Sequence, residues 1–258
     1  MSNKKPSKAY DNKNFLHSYG ARPLRILAEY MEPDQRLRRM GVGRAVIFFG
    51  SARIKKGGKP DYYAAAANLA EKMARWTLQE HSEANRCYIC TGGGPGIMQA
   101  AHEGAARVDT ALNLGFNISL PFEQHINPCV QSERGFEFHY FFTRKFWFIN
   151  VAAGAVIFPG GFGTLDELFE LMTLTQTGKS ARMPILLYGR EFWTKVVNFR
   201  LLVEMGLISP GDLDLFSVVN SVDEAYDILI RGVDTSSSVV DQTPVIKKSK
   251  RQIGKRWP

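Results

Sequence analysis

The sequence predicts a single-domain α/β fold, a doubly wound parallel sheet with helices on both faces, and three observations predict it. From residue 44 onward short apolar runs alternate with longer helical patterns, the signature of repeated βαβ units and of a sheet covered on both sides. The 258 residues are 45% hydrophobic, enough to bury a real core. Neither an internal repeat nor an interdomain linker divides them.

The strands are expected at Ala-Val-Ile-Phe-Phe (45–49), Cys-Tyr-Ile-Cys (87–90), residues 112–118, residues 154–158, Pro-Ile-Leu-Leu-Tyr (184–188) and residues 216–220. Helical stretches begin near Asp61, Gly96, Thr143, Thr164, Arg190 and Ser221, several of them behind an acceptable cap. Ser221 and Glu224 have capping-box spacing, which marks the start of the final helix. Before residue 44 the chain reads as one or two helices over a nucleotide-binding domain spanning 14–234. Leu24, Leu27, Met31, Leu37 and Met40 form an apolar stripe in the extension 22–40, packed against the sheet or a partner. Residues 1–13 and 235–258 read as disordered basic termini.

The net charge of +8 resides in those termini. Residues 247–258 carry +6, residues 1–13 carry +3, and the body is left at −1. A basic tail attracts nucleic acid or acidic surfaces without a binding fold behind it, and such binding would be lost with the tail and weakened by salt. The Ser-rich lead-in from Asp234 equally suits a solvated tail. No run approaches the roughly 20 apolar residues of a bilayer-spanning helix, and the polar start lacks a hydrophobic targeting segment. Three cysteines form no disulfide framework, so a cytoplasmic location is expected.

In a parallel sheet ligands collect beyond the carboxyl ends of the strands. Three loops there are candidates. After the first expected strand comes the segment with Gly50 and Ser51, and after the second Thr91-Gly-Gly-Gly-Pro-Gly-Ile-Met98, with Gly93, Gly94 and Met98. Glycines let backbone N–H groups converge on an anion, although tight strand-to-helix turns use them for steric reasons too. The third, Pro159-Gly-Gly-Phe-Gly-Thr-Leu-Asp-Glu167, carries Gly160, Gly161, Gly163 and Thr164 ahead of two acids. Helix-dipole and capping-box effects between Thr164 and Glu167 account for the acids. They leave the three glycines unexplained, and a phosphate seated on exposed N–H groups would explain them. Upstream, Arg144 and Lys145 open an aromatic-rich helix, where cations cost stability unless an anion compensates.

The third loop, with Thr143-Arg-Lys145 and the segment 91–98, resembles the LOG family of cytokinin-activating phosphoribohydrolases, formerly labelled lysine decarboxylases. The resemblance runs from about Ala45 to Leu207 and looks like the longer branch, with a distinct segment over 115–130. It implies a Rossmann-like homodimer or higher assembly that binds AMP-type nucleotides and releases base and ribose 5-phosphate. It implies Arg144 and Glu167 as the catalytic pair, Lys145 and Thr173 as substrate contacts, and Gly160 to Thr164 as the phosphate loop. Asp166 stands where plant members carry glutamate, and with the altered middle segment it bears on base specificity. The chemistry is consistent. Breaking a ribosyl C–N bond builds positive charge on the sugar, which a carboxylate stabilises, and negative charge on the base, which a fixed cation complements. Neither a metal nor a cofactor is required.

Other readings are weaker. Thr177-Gly-Lys-Ser180 ends like a P-loop, but Thr173 occupies the position of the leading glycine. Cys87 and Cys90 have redox spacing, yet residues three apart on a strand face opposite ways and no second pair completes a zinc site. A decarboxylase would need a Schiff-base lysine, and Lys145 and Lys179 lack supporting context. The five histidines show no ligand spacing. The serious alternative is a carrier of a nucleotide or of molybdenum cofactor on the same scaffold, which needs the phosphate loop but no carboxylate at the sugar.

Overall fold

The computed structural model describes residues 6–121 and 125–235; residues 247–258 and Lys4 and Lys5, which carry most of the terminal charge, lie outside them. Seven strands form one sheet: β1 (Arg44–Phe49), β2 (Cys87–Thr91), β3 (Asn113–Ile118), β4 (Gly135–Phe138), β5 (Ala152–Ile157), β6 (Ile185–Tyr188) and β7 (Ser217–Val219). Their order is β4-β3-β2-β1-β5-β6-β7 and every pairing is parallel. The central strands β2, β3, β5 and β6 are buried at every residue, as a sheet covered on both faces requires. The two edges are less covered: β4 and β7 each expose one residue.

The helices are α1 (Lys13–Leu16), α2 (Arg22–Arg39), α3 (Tyr62–Glu80), α4 (Ile97–Ala106), α5 (Phe141–Val151), α6 (Phe162–Gln176), α7 (Arg190–Val196), α8 (Phe199–Glu204) and α9 (Val222–Thr235). Helices α3, α4 and α9 pack together, while α5 lies on β1 and β3 beneath α2. Asp61 caps α3 through the Ala64 N–H at 2.9 Å, and the Ser221 hydroxyl accepts from the Glu224 N–H at 3.1 Å. Glu224 reaches back to the Asn220 N–H rather than to that of Ser221, so the expected capping box closes one residue early.

The structure departs from the sequence-based expectation in several places. β4 and α8 were not expected: Gly-Phe-Glu-Phe in β4 lacks the continuous apolar run that marks the other strands, and six residues are too few for a helical period to register. Within the segment 1–13, residues 9–11 form a 3-10 turn, and Asn12 caps α1 by accepting from the Phe15 N–H. Of the expected stripe Leu37 joins the core and Met40 packs partly buried against it, whereas Leu24, Leu27 and Met31 are exposed. They extend beyond the sheet along α5 and, with Tyr30, Phe142 and Phe146, leave an apolar face and a groove of about 520 Å³. No helix among the described residues is long and apolar enough to cross a membrane.

Glu29 fastens α2 to the start of α5. Its carboxylate accepts from the His139 N–H (2.8 Å), the Tyr140 N–H (3.3 Å) and the Thr143 hydroxyl (2.5 Å), and its carbonyl accepts from the Trp147 indole (2.9 Å). A negative group is thereby set on the positive end of α5. Replacing Glu29 by Ala is expected to cost about 1–3 kcal/mol, read from the urea unfolding midpoint, whereas Glu32→Ala, at a side chain 58% exposed whose partner Arg36 keeps its bond to the Gly135 carbonyl, should cost under about 1 kcal/mol.

Candidate functional site

The strand order reverses between β1 and β5, and a crevice opens beyond their carboxyl ends, where a doubly wound sheet is expected to take its ligand. Its volume is about 610 Å³. The turn after β1 and the turn after β5 are joined: the Phe158 N–H donates to the Phe49 carbonyl at 2.8 Å and the Ser51 N–H to the Pro159 carbonyl at 3.0 Å. From the other side the Ile97 N–H donates to the Ser51 carbonyl at 3.2 Å. Gly96 makes that approach possible. With φ of +68°, a Cβ there would lie 2.3 Å from the Ser51 carbonyl oxygen.

The glycines between β5 and α6 divide into two kinds. A Cβ on Gly160 would fall 2.1 Å from the Thr164 hydroxyl, so this glycine is required by packing and does not line the crevice. A Cβ on Gly161 or Gly163 would meet nothing within 4 Å, and both line the crevice. Sterics therefore do not require these two glycines, and both are open to the crevice. Helix α6 begins at Phe162 with Gly161 as its cap, so Thr164 lies inside the first turn and the expected capping box with Glu167 does not form. The acid is left for another purpose.

Glu167 is buried, with 6% of its side chain exposed, and its Oε1 lies 3.4 Å from an Arg144 guanidinium nitrogen that is itself only 14% exposed. That separation is long for a hydrogen bond. Burial pushes the Glu167 carboxyl up to about 7, against the opposing pull of Arg144 and then Lys145. Burial likewise draws the Arg144 guanidinium below its usual value, opposed by Glu167 and Asp166. The rings of Phe141 and Phe148, three residues before Arg144 and four after it, lie 5.4 and 5.5 Å from the guanidinium and fix its plane. The Arg144 Nε has no hydrogen-bond partner among the described residues.

Lys145 faces away from the crevice. It ties α5 to α6 through Asp166 at 2.9 Å and Glu170 at 3.1 Å. Burial works against its charge, but the two carboxylates more than offset that and hold its pKa above the ordinary lysine value. The cations near the start of α5 are thus compensated by Glu29, Glu167, Asp166 and Glu170, which resolves the local conflict in the sequence. A lysine held so firmly charged is the opposite of the depressed amine a Schiff base needs.

The crevice brings together Gly50, Ser51, Met98, Arg144, Gly161, Gly163, Thr164 and Glu167. Lys145, Gly160 and Thr173 lie outside it; Thr173 is exposed on α6 and its hydroxyl donates to the Phe169 carbonyl at 2.7 Å. Gly93 and Gly94 are also outside it, and Gly92 takes their place, its would-be Cβ 3.7 Å from Arg144. The carbonyls of Gly93 and Gly94 accept from the Asn127 side-chain amide at 3.0 and 3.2 Å, and this amide also meets His102 Nδ1 at 3.0 Å. His102 Nε2 lies 3.1 Å from the Leu114 carbonyl, and burial pulls this histidine down to about 4, so it is a neutral strut. Asn127 belongs to the distinctive middle segment, which is thereby latched onto the glycine turn. Nothing in the sequence signals a contact across 33 residues. Arg53, Phe141 and Phe162 also line the crevice and were not singled out in the sequence. Cys87 and Cys90 are free, buried thiols on β2, and burial pushes Cys87 up to about 12 and Cys90 well above its usual value.

Residues 98–229, just over half of the chain, match the family described as possible lysine decarboxylase. The chain belongs to this family, the LOG family. It is 27% identical over 183 residues to a pyrimidine/purine nucleotide 5'-monophosphate nucleosidase of Escherichia coli K12, an alignment covering 64% of this chain and 36% of that protein. The chain thus spans about a third of the length of that relative. It is 27% identical over 172 residues to a cytokinin riboside 5'-monophosphate phosphoribohydrolase of Arabidopsis thaliana, covering 65% of this chain and 71% of that one. Among solved structures it is similar to the protein TM1055, with a TM-score of 0.48 and 18% identity over 73% of this chain and 99% of that one.

Proposed function

We propose that the protein is a nucleoside 5'-monophosphate phosphoribohydrolase, releasing a purine or N6-modified adenine and ribose 5-phosphate from AMP-type nucleotides. The observation that carries this reading is the buried Glu167 carboxylate beside Arg144, in a crevice whose wall is the open glycine turn. The names of the relatives from Escherichia coli and Arabidopsis thaliana support it.

In this reading the phosphate rests on the N–H groups of the first turn of α6, among the groups a helix leaves without an intrahelical partner. Leu165 is the first residue there whose N–H finds an intrahelical carbonyl, that of Gly161 at 3.0 Å. With the phosphate fixed, C1′ is held at Glu167. As the C–N bond breaks, positive charge grows on the ribose, and Glu167 stabilises it and takes a proton from the attacking water. The water oxygen bonds to C1′. The electron pair of the broken bond leaves with the base, whose growing negative charge faces Arg144 and which takes a proton from solvent water as it departs, while Glu167 returns its proton to solvent. Gly160 and Lys145 then act by holding the turn and joining α5 to α6. Thr173 remains a contact that the resemblance alone suggests. A carrier of a nucleotide or molybdenum cofactor would have use for the turn but no return for the cost of burying a carboxylate.

Incubating the protein with AMP, GMP, CMP and N6-isopentenyl AMP and following base by chromatography tests the reaction. No base from any of them, with tight nucleotide binding, would make the protein a carrier. Glu167→Gln is expected to keep nucleotide binding and lower turnover by roughly 10²- to 10⁴-fold.

The proton-accepting role requires the ionised carboxylate, and the Glu167 pKa is raised to about 7. kcat/KM should therefore rise with pH through that value and fall about tenfold per unit well below it. Stability should move the other way. Between the ordinary 4.5 and the raised value near 7 the folded chain holds a proton that the unfolded chain has lost, so this group's contribution declines as pH rises across that window. Glu167→Gln should flatten that part of a melting-temperature profile.

The apolar face of α2 and α5 supports assembly as a homodimer, because a contiguous exposed apolar patch marks an interaction surface. Leu27→Glu, at a residue 51% exposed, should shift sedimentation velocity from dimer to monomer while leaving the fold intact by circular dichroism. The buried free thiols of Cys87 and Cys90 suit a reducing compartment such as the cytoplasm.

A further inference from the structure

Two basic residues line the crevice, Arg53 and Arg144. Arg144 is neutralised by Glu167, and Lys145 behind it by Asp166 and Glu170. In the turn after β1, Lys56 is spent on Glu103 at 2.8 Å. Lys55 and Lys59 do not line the crevice. The Arg53 guanidinium makes no hydrogen bond or ion pair with another described residue, so one positive charge in the crevice is left unmatched.

The backbone that carries it is held on three sides. The Ser51 N–H and carbonyl are bonded to Pro159 and Ile97, and the Arg53 N–H donates to the Ser51 hydroxyl at 3.1 Å. Gly96 presses on Ser51 and Ala52 so closely that a Cβ would come within 2.8 Å of the Ala52 Cα. Arg53 is itself exposed, but it leaves a clamped turn two residues from the bond to Pro159 and lines the same crevice as the open glycines Gly161 and Gly163. A phosphate monoester carries about −1.5 to −2 charge at pH 7 and offers three acceptor oxygens. The helix end supplies partial charge only, roughly half an elementary charge, so a full cation is needed to balance it.

We propose that Arg53 recognises the 5'-phosphate and sets the preference of this site for a nucleoside monophosphate over the free nucleoside. This deepens the phosphoribohydrolase reading and rests on it for the identity of the sugar and base. Its bidentate fork matches two phosphate oxygens and supplies the full charge that the α6 N–H groups lack.

Isothermal titration of the full chain with ribose 5-phosphate and with ribose, together with AMP kinetics, tests the assignment in wild type, Arg53→Gln and Arg53→Lys. Arg53→Gln should weaken ribose 5-phosphate binding roughly tenfold or more and leave ribose binding unchanged. KM for AMP should rise by a similar factor with kcat close to wild type. Arg53→Lys should recover part of the loss, since it keeps the charge without the fork. Equal affinity of wild type and Arg53→Gln for ribose 5-phosphate would overturn the proposal. So would a wild type that does not distinguish ribose 5-phosphate from ribose, or a variant that loses both alike. A wild type that binds ribose 5-phosphate through Arg53 yet frees no base from AMP would sustain the assignment and end the hydrolase reading instead.

Discussion

A carboxylate taken out of water needs either a close cation or a proton, and Glu167 has neither in full measure. Its partner Arg144 stands 3.4 Å away, and burial outweighs that attraction, so the carboxyl sits poised to gain or lose a proton near neutrality. A shorter, better-aligned pair would ionise the acid permanently and keep both groups occupied with each other. A lone buried acid would stay protonated. The intermediate arrangement leaves both side chains able to turn toward something placed between them. Most of what surrounds the crevice serves to keep it so: two phenylalanine rings hold the guanidinium, and the lysine next to it joins the two helices from which the pair projects.

The architecture places this pair by a short chain of cause. Continuous apolar strands require cover on both faces, cover requires crossover helices, and right-handed crossovers running outward in both directions from β1 and β5 leave a cleft where the two runs part. Polypeptide leaving those two strands must turn sharply into helices at the same place. The bond from Ser51 to Pro159 stitches the two turns together, and Gly96 lets α4 press against the seam. The glycines of these turns therefore line the crevice together with the side chains of Met98, Arg144, Phe148 and Glu167.

Much of this was legible in the sequence because the signals were local. Strands β1, β2, β3, β5, β6 and β7 register as apolar runs, and the segment from Pro159 to Glu167 announces both an open turn and an acid at its base. What escaped was non-local or ambiguous. Thr164 and Glu167 have the spacing of a capping box, and only the placement of the first turn, two residues earlier, shows that the acid is buried instead. Gly93 and Gly94 look like anion-binding glycines, but their carbonyls are taken by Asn127 from a distant segment whose role no periodicity reveals. Arg53 is one of four basic residues within seven positions. Charge counting cannot separate the one that lines the crevice from the three that do not.

The N-terminal extension is usually the part of such a chain easiest to dismiss, yet it reaches the site by a direct mechanical path. Glu29 on α2 holds the first turn of α5 through three hydrogen bonds, and Arg144 lies just beyond that turn on the same helix. Because α5 starts with no side-chain cap of its own, the carboxylate of another helix performs that task, and the position of Arg144 depends on α2 being docked. The exposed outer face of α2, with Leu24, Leu27 and Met31, then stands one helix away from the guanidinium. The inward side of α2 is thus tied to the helix that carries Arg144, while its outer side is apolar and exposed.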